Sequence, residues 1–286
     1  MIIIGMHRSG TTMIAGMLAR LGLFTGWRLD GGNSESVFFT KNNESILSAG
    51  GCRWDSPDSF KHVLNRAESV ELLAESMRRR LSSPASFIYL GIKMLLTRRS
   101  IFNIDSPWGW KDPRNTITLP IWLKLFPEAK IIHIIRNGVD VADSLKRRER
   151  RALGKIEKMP KGALYNLGIT DSVKIGSPKV ARLEGGFELW EEYLEFAETS
   201  LASLPNEVAT IRFEDFIGDS PGALARLASF CGLGAGEGAI SSACRDVRKD
   251  RANIFARDSV LRSFWENVRE SRYMVKHGYR VKEERR

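Results

Sequence analysis

The stretch Gly5-Met6-His7-Arg8-Ser9-Gly10-Thr11-Thr12 constrains this chain more than any other. It follows an apolar run, Met1 to Ile4, short enough for a buried strand. It leads into Met13 to Leu21, where Ile14, Met17, Leu18 and Leu21 repeat at helical spacing. A strand, a glycine-bounded loop and a helix in succession turn backbone N–H groups and the positive end of a helix dipole toward one point. That arrangement suits a phosphate.

Gly5 and Gly10 have the spacing of a P-loop, and the next residue breaks the pattern. A nucleoside-triphosphate loop continues Gly-Lys-Ser/Thr, with the lysine on the terminal phosphates and the hydroxyl on magnesium. Here Thr11 occupies the place of the lysine, and the cation is Arg8, inside the loop. The loop is expected to hold a phosphate without the usual machinery for ATP.

Composition narrows the setting. With 286 residues and ordinary globular usage, the chain suits one α/β domain with a substantial core. No apolar run approaches the roughly 20 residues of a membrane span. The N-terminus reads as a core strand with no signal peptide ahead of it, and Cys52, Cys231 and Cys244 lack metal spacing. Reduced thiols and a cytoplasmic location are the expectation. The net charge of +10 is concentrated in Lys146 to Arg151 and from Arg245 onward, where thirteen Lys/Arg face seven Asp/Glu. Such a balance fits a polyanionic cofactor, an acidic substrate, a nucleic acid or an anionic membrane surface, and equally well solvated helix faces.

Further along, strand ends carry cations. Trp108 to Lys111 reads as a strand stopped by Asp112-Pro113, placing Lys111 and Arg114 where open parallel sheets bind ligands. Lys130 to Ile135 is a buried parallel strand ending on Arg136, and Val139 to Arg148 is the following helix. Arg136 and Ser144 can converge there on one anion, with Asp140 holding the turn or the arginine. His133, within the apolar run, reads as a packed core histidine. Ser34 to Ser48 suggests a short helix after the phosphate loop, which makes Glu35 or Glu44 a candidate base.

The remaining pattern predicts helices over Val63 to Leu81, Thr116 to Phe126, Phe187 to Leu204 and Asp258 to about Met274. Strands are expected at Phe87 to Leu90 and Val208 to Phe213, and Ser220-Pro221 reads as a helix N-cap and first turn. Residues 151–184 read as a substrate loop or lid, and 234–286 as a basic, helical C-terminal extension. With no repeats and no low-complexity linker, residues 1–286 form a single domain in this reading.

Three segments, in order, resemble the sulfotransferases that use 3′-phosphoadenosine 5′-phosphosulfate (PAPS). Gly5 to Thr12 (GMHRSGTT) is similar to their 5′-phosphosulfate loop, and Arg136 to Ser144 (RNGVDVADS) to their 3′-phosphate motif, with arginine and serine eight apart. Ile211 to Leu233 resembles the closing strand and helix. Trp110 to Arg114 (WKDPR) with Leu125-Phe126-Pro127 looks like the tyrosylprotein and related bacterial branches. The resemblance implies a P-loop-type three-layer α/β fold, a central parallel β-sheet flanked by helices.

It also implies a set of roles. Backbone N–H groups from Arg8 through Ser9 and Gly10 to Thr12, with the Thr11 and Thr12 hydroxyls, would hold the 5′-phosphate. Arg8 and Lys111 would neutralise charge on the departing oxygen, and Arg136 with Ser144 would grip the 3′-phosphate. Glu35 is the expected base, with His7 or Asp55 as alternatives. PAPS would be the donor and adenosine 3′,5′-bisphosphate the product, with no metal ion. The acceptor would be a small molecule, a glycan or a lipid head group, with no nucleic acid. A P-loop kinase of a small metabolite and a non-enzymatic nucleotide- or nucleic-acid-binding protein are the competing readings; the first requires magnesium and ATP, the second predicts salt-sensitive oligonucleotide binding.

Overall fold

Ile2, Ile3 and Ile4 form strand β1 (Ile2–Ile4), wholly buried in a computed structural model that describes residues 1–157, 176–202 and 204–280. Burying each isoleucine stabilises the fold by roughly 1.5–3 kcal/mol, which outweighs the shortness of the strand. The next element, helix α1 (Thr11–Arg20), ends where Gly22 adopts a positive φ of 108°. Helix α2 (Val37–Ala49) starts at Ser36, whose hydroxyl accepts from Phe39 N. The helix expected from Val63 to Leu81 is two helices, α3 (Lys61–Leu64) and α4 (Ala67–Leu81). They break at Asn65-Arg66, and Arg66 is extended.

The strand expected at Phe87 to Leu90 is instead the first turn of α5 (Phe87–Arg98). Among the described residues, no strand of the sheet pairs with it. The Tyr89 side chain is buried and donates to Gly109 O at 2.8 Å, so tertiary packing overrides the β propensity of Phe-Ile-Tyr. Gly91, with φ of 70°, then kinks the helix.

Strand β2 (Trp110–Lys111), helix α6 (Asn115–Leu125), strand β3 (Ile131–Ile135) and helix α7 (Gly138–Glu157) follow as expected in kind. However, α7 runs beyond Arg148 into the segment read as a lid, and Lys179–Ala181 forms a 3-10 turn before α8 (Leu183–Leu201). The middle of that segment, 158–175, lies outside the described residues. Strand β4 (Val208–Arg212) leads directly into α9 (Phe213–Gly218) and α10 (Ser220–Phe230). The cap of α10 is Asp219, which accepts from Gly222 N; Ser220 and Pro221 are its first helical residues. Beyond it comes α11 (Glu237–Cys244), and α12 (Ser259–Val268) and α13 (Arg272–Lys276) replace the single last helix expected from Asp258, with the break at Arg269 to Ser271.

The four strands are parallel, in the order β2-β1-β3-β4. Their pleat divides the core. Ile2, Ile4, Ile131 and Ile135 face a large cluster that includes Trp110, Trp122 and Trp190, whereas Ile3, Ile132 and Ile134 face a smaller one with Ile14, Leu18 and Leu227. Helices therefore cover both faces, giving three α/β layers. All four strands end at the same edge of the sheet, so Gly5, Asp112, Arg136 and Phe213 begin the segments that meet there. His133 is a core residue of β3; burial pushes its imidazole down to about 3, so it stays neutral.

Candidate active site

Beyond that edge lies a cleft of about 1160 Å³ lined by the phosphate loop, Glu35, Lys111, Arg114, Arg136 and Ser144. It exceeds the roughly 300–1,000 Å³ of an ordinary single-ligand pocket, so two reactants can lie side by side.

The loop at its floor is held by close approach. Gly5 N donates to Thr116 Oγ1 at 3.0 Å, and a Cβ on Gly5 would collide with Ile134 O. Gly10, with φ of 92°, lies so close to the Phe213 ring that a side chain has no room. Arg8 itself takes a positive φ of 71°, an uncommon backbone for a residue with a Cβ. The N-cap of α1 is Gly10, which brings no side-chain cap, and Gly10 to Met13 line the cleft at the helix N-terminus. The buried Ser9 hydroxyl also lacks a hydrogen-bond partner among the described residues. An oxyanion satisfies such donors.

Two charged groups converge at one end. The Lys111 ammonium, 2 % exposed as a residue, donates to Glu35 Oε1 at 2.8 Å and to Thr12 Oγ1 at 3.1 Å. Arg114 approaches Glu35 Oε2 at 3.7 Å while bound to both oxygens of Asp112 and to Glu44 at 2.6 Å. Burial, then the negative charge of Asp112, raises the Glu35 carboxyl above its ordinary value; the Lys111 ammonium opposes this only in part. Glu44, the other candidate base, is spent on Arg114.

Behind them a buried amide network sets the register. Asn43 donates to Asp112 and Asn115, and its carbonyl accepts from Thr118 and from the Trp122 indole.

His7 lines the same cleft, packed edge-on to Trp54 at 4.8 Å between ring centres. Burial, reinforced by Arg148, Arg114, Lys111 and Arg8, drives its imidazole well below the usual value, so it is neutral. Its Nε2 has no hydrogen-bond partner among the described residues. Asp55, by contrast, is ion-paired to Arg53 at 3.1 Å and does not line the cleft.

At the other end Arg8 Nε donates to Ser144 Oγ at 2.9 Å. Arg136 donates to Arg8 O at 3.1 Å and Arg251 O at 2.6 Å, lies 3.3 Å from Asp140, and rests over the Phe213 ring. Its buried Nε has no partner among the described residues. The two arginines therefore touch, and Asp140 holds more than the turn. Its carboxylate also accepts from Ile254 N and Phe255 N, fastening the C-terminal segment to the rim. An adjoining pocket of about 360 Å³ is lined by Arg8, Ser144, Arg147, Arg148, Arg151 and Arg251, with no carboxylate among the described residues. Burial and the charges of Arg148, Arg136, Arg151 and Arg147 lower the Arg8 guanidinium from its ordinary value, as expected where positive charge is crowded.

Of the predicted positions, His7, Arg8, Gly10, Thr11, Thr12, Lys111, Arg114, Arg136 and Ser144 thus line one cleft, while Ser9 is buried beneath it. Sequence reading missed Arg251, Arg148 and Phe213. The basic runs were visible as charge, but nothing local indicates that Arg251 folds back beside Arg136.

A family model described as the sulfotransferase family matches residues 1–236. Among solved structures, the chain is similar to a sulfotransferase domain from the curacin biosynthetic pathway, with 17% identity, 93% of this chain and 90% of that one covered, and a TM-score of 0.47. It is similar to a sulfotransferase domain from the Synechococcus PCC 7002 olefin synthase, with 18% identity, 99% and 94% coverage and a TM-score of 0.44. Sulfotransferase STF9 from Mycobacterium avium gives 12% identity, 95% and 76% coverage and a TM-score of 0.44. A comparison with curated proteins returned no match.

Proposed function

The chain belongs to the sulfotransferase family, and from that premise we propose that its cleft moves a sulfuryl group from PAPS to a hydroxyl or amine acceptor. The observation that carries this reading is the single lysine joining loop and carboxylate: Lys111 binds both Thr12 and Glu35. A donor phosphate seated on the open N-terminus of α1 lies beside a cation and within reach of a base.

The residues fit such a donor. Unpaired N–H groups at Gly10 to Thr12 and the orphaned Ser9 hydroxyl suit the 5′-phosphate. The unpaired Nε of Arg136, with Ser144 and the carboxylate-free arginine pocket, suits a second phosphate. The donor supplies an activated sulfur–oxygen bond. Glu35 takes the acceptor proton as the acceptor oxygen or nitrogen bonds to sulfur, and the bond from sulfur to the bridging phosphate oxygen breaks. Lys111 and Arg8 neutralise the charge gathering on that oxygen, which leaves with adenosine 3′,5′-bisphosphate. Positioning and preorganised charge do most of the work, as in phosphoryl transfer.

Calorimetry with adenosine 3′,5′-bisphosphate against ADP tests this reading. We expect the bisphosphate to bind at least about tenfold tighter, the worth of one charge-assisted hydrogen bond. Equal affinity for the two nucleotides would remove the second-phosphate argument.

A further inference from the structure

Away from the cleft, α5 and the loop before α2 leave large apolar side chains in solvent. Trp27 is 61 % exposed, Ile92 67 % and Leu96 74 %. They share one region. Trp27 N donates to Tyr89 O at 2.7 Å and Arg28 N to Ile88 O at 3.3 Å, which lays the loop along the start of α5. The Trp27 ring covers the kink at Gly91, where a Cβ would meet its Cγ at 2.8 Å. Beyond the kink, α5 turns Met94 and Leu95 inward and leaves Ile92 and Leu96, one turn apart, facing water.

Cations interleave with these apolar groups. Arg28, Lys93 and Arg99 are exposed and form no ion pair among the described residues. Arg98 is spent on Asp105 at 2.7 Å. An indole and aliphatic side chains ringed by Lys and Arg are suited to the boundary between acyl chains and anionic head groups. A second copy of this chain is disfavoured, because a two-fold contact would bring like charges together on a protein of net charge +10.

The same loop runs into the cleft. Three residues after Trp27, the Asp30 carboxylate accepts from Asn33 N and Glu35 N, and Asp30, Asn33 and Glu35 line the cleft wall. We propose that the surface of Trp27, Ile92 and Leu96, with Arg28, Lys93 and Arg99, docks this protein onto an anionic membrane surface. Docking brings the Glu35 side of the cleft toward the head-group layer. The docking does not depend on the donor. That the acceptor is a membrane lipid head group would follow only if the sulfotransfer reading above also holds.

Co-sedimentation of the full chain with vesicles tests the docking without any turnover. The probes are phosphatidylglycerol/phosphatidylcholine vesicles and pure phosphatidylcholine vesicles. We expect binding to the anionic vesicles that weakens with added salt, with little on the neutral ones. The double variant Ile92→Ser, Leu96→Ser and, separately, Lys93→Glu should each weaken it about tenfold or more. All three positions are exposed, and circular dichroism should show the variants folded. Absence of binding to anionic vesicles would overturn the proposal, as would equal binding by the variants. Self-association that the same variants dissolve would also overturn it, because the occupant would then be a second copy.

Discussion

Lys111 Nζ lies 2.8 Å from Glu35 Oε1, joining the end of the edge strand β2 to the loop before α2. Both groups are nearly withdrawn from water, so neither charge is screened as a surface pair would be. A buried carboxylate held next to one ammonium and under the field of Asp112 has the raised value that the proposed proton acceptor needs.

Glu35→Gln keeps the shape and removes the proposed proton acceptor. Turnover should fall by about 10²–10⁴, while calorimetric affinity for adenosine 3′,5′-bisphosphate stays within about twofold. Unaltered turnover would pass the role to the neutral imidazole of His7.

The pH profile follows from the same carboxyl. Burial and Asp112 raise it, so the acid limb of the rate should lie above the ordinary carboxylate range, activity falling as pH drops through the raised value. The effect on stability has the opposite sense. A carboxyl whose folded value is raised favours the fold most below its ordinary value, and that contribution is lost as pH rises through the raised one. In Glu35→Gln, the stability difference between acidic and neutral pH should shrink, as chemical denaturation at several pH values would show.

Arg136→Ala should abolish most of the preference for the bisphosphate over ADP, a loss of about 1.5–3 kcal/mol in binding. Calorimetry on both nucleotides measures it. A uniform loss for both would show that Arg136 only supports the backbone of Arg8 and Arg251.

Asp140→Asn keeps the size but gives up the charge that receives two backbone amides and faces Arg136. We expect a loss of about 1–3 kcal/mol in stability and faster hydrogen exchange at Ile254 and Phe255. Unchanged exchange at those two amides would contradict the fastening role.

Asn43→Ala leaves the Trp122 indole N–H and the Thr118 hydroxyl without the carbonyl that now receives them. About 2–4 kcal/mol should be lost on thermal or urea unfolding, with turnover falling as Asp112 and Arg114 lose their register.

What the sequence determined by itself was local. The isoleucine runs, the glycines at Gly5 and Gly10 and the cations after strand ends follow from pleat, φ and chain direction, so the parallel sheet and the glycine-bounded loop before α1 could be read in advance. Tertiary structure decided whatever depended on partners distant in the chain. Phe87 to Leu90 looked like a strand until the burial of Tyr89 against Gly109 made it helix. Which carboxylate meets Lys111, and that Arg251 comes to rest against Arg136, were decided only there. The physical reason is that hydrogen bonds and buried charges gain their strength from desolvation by the whole fold, and no local spacing records which distant group will share that burial.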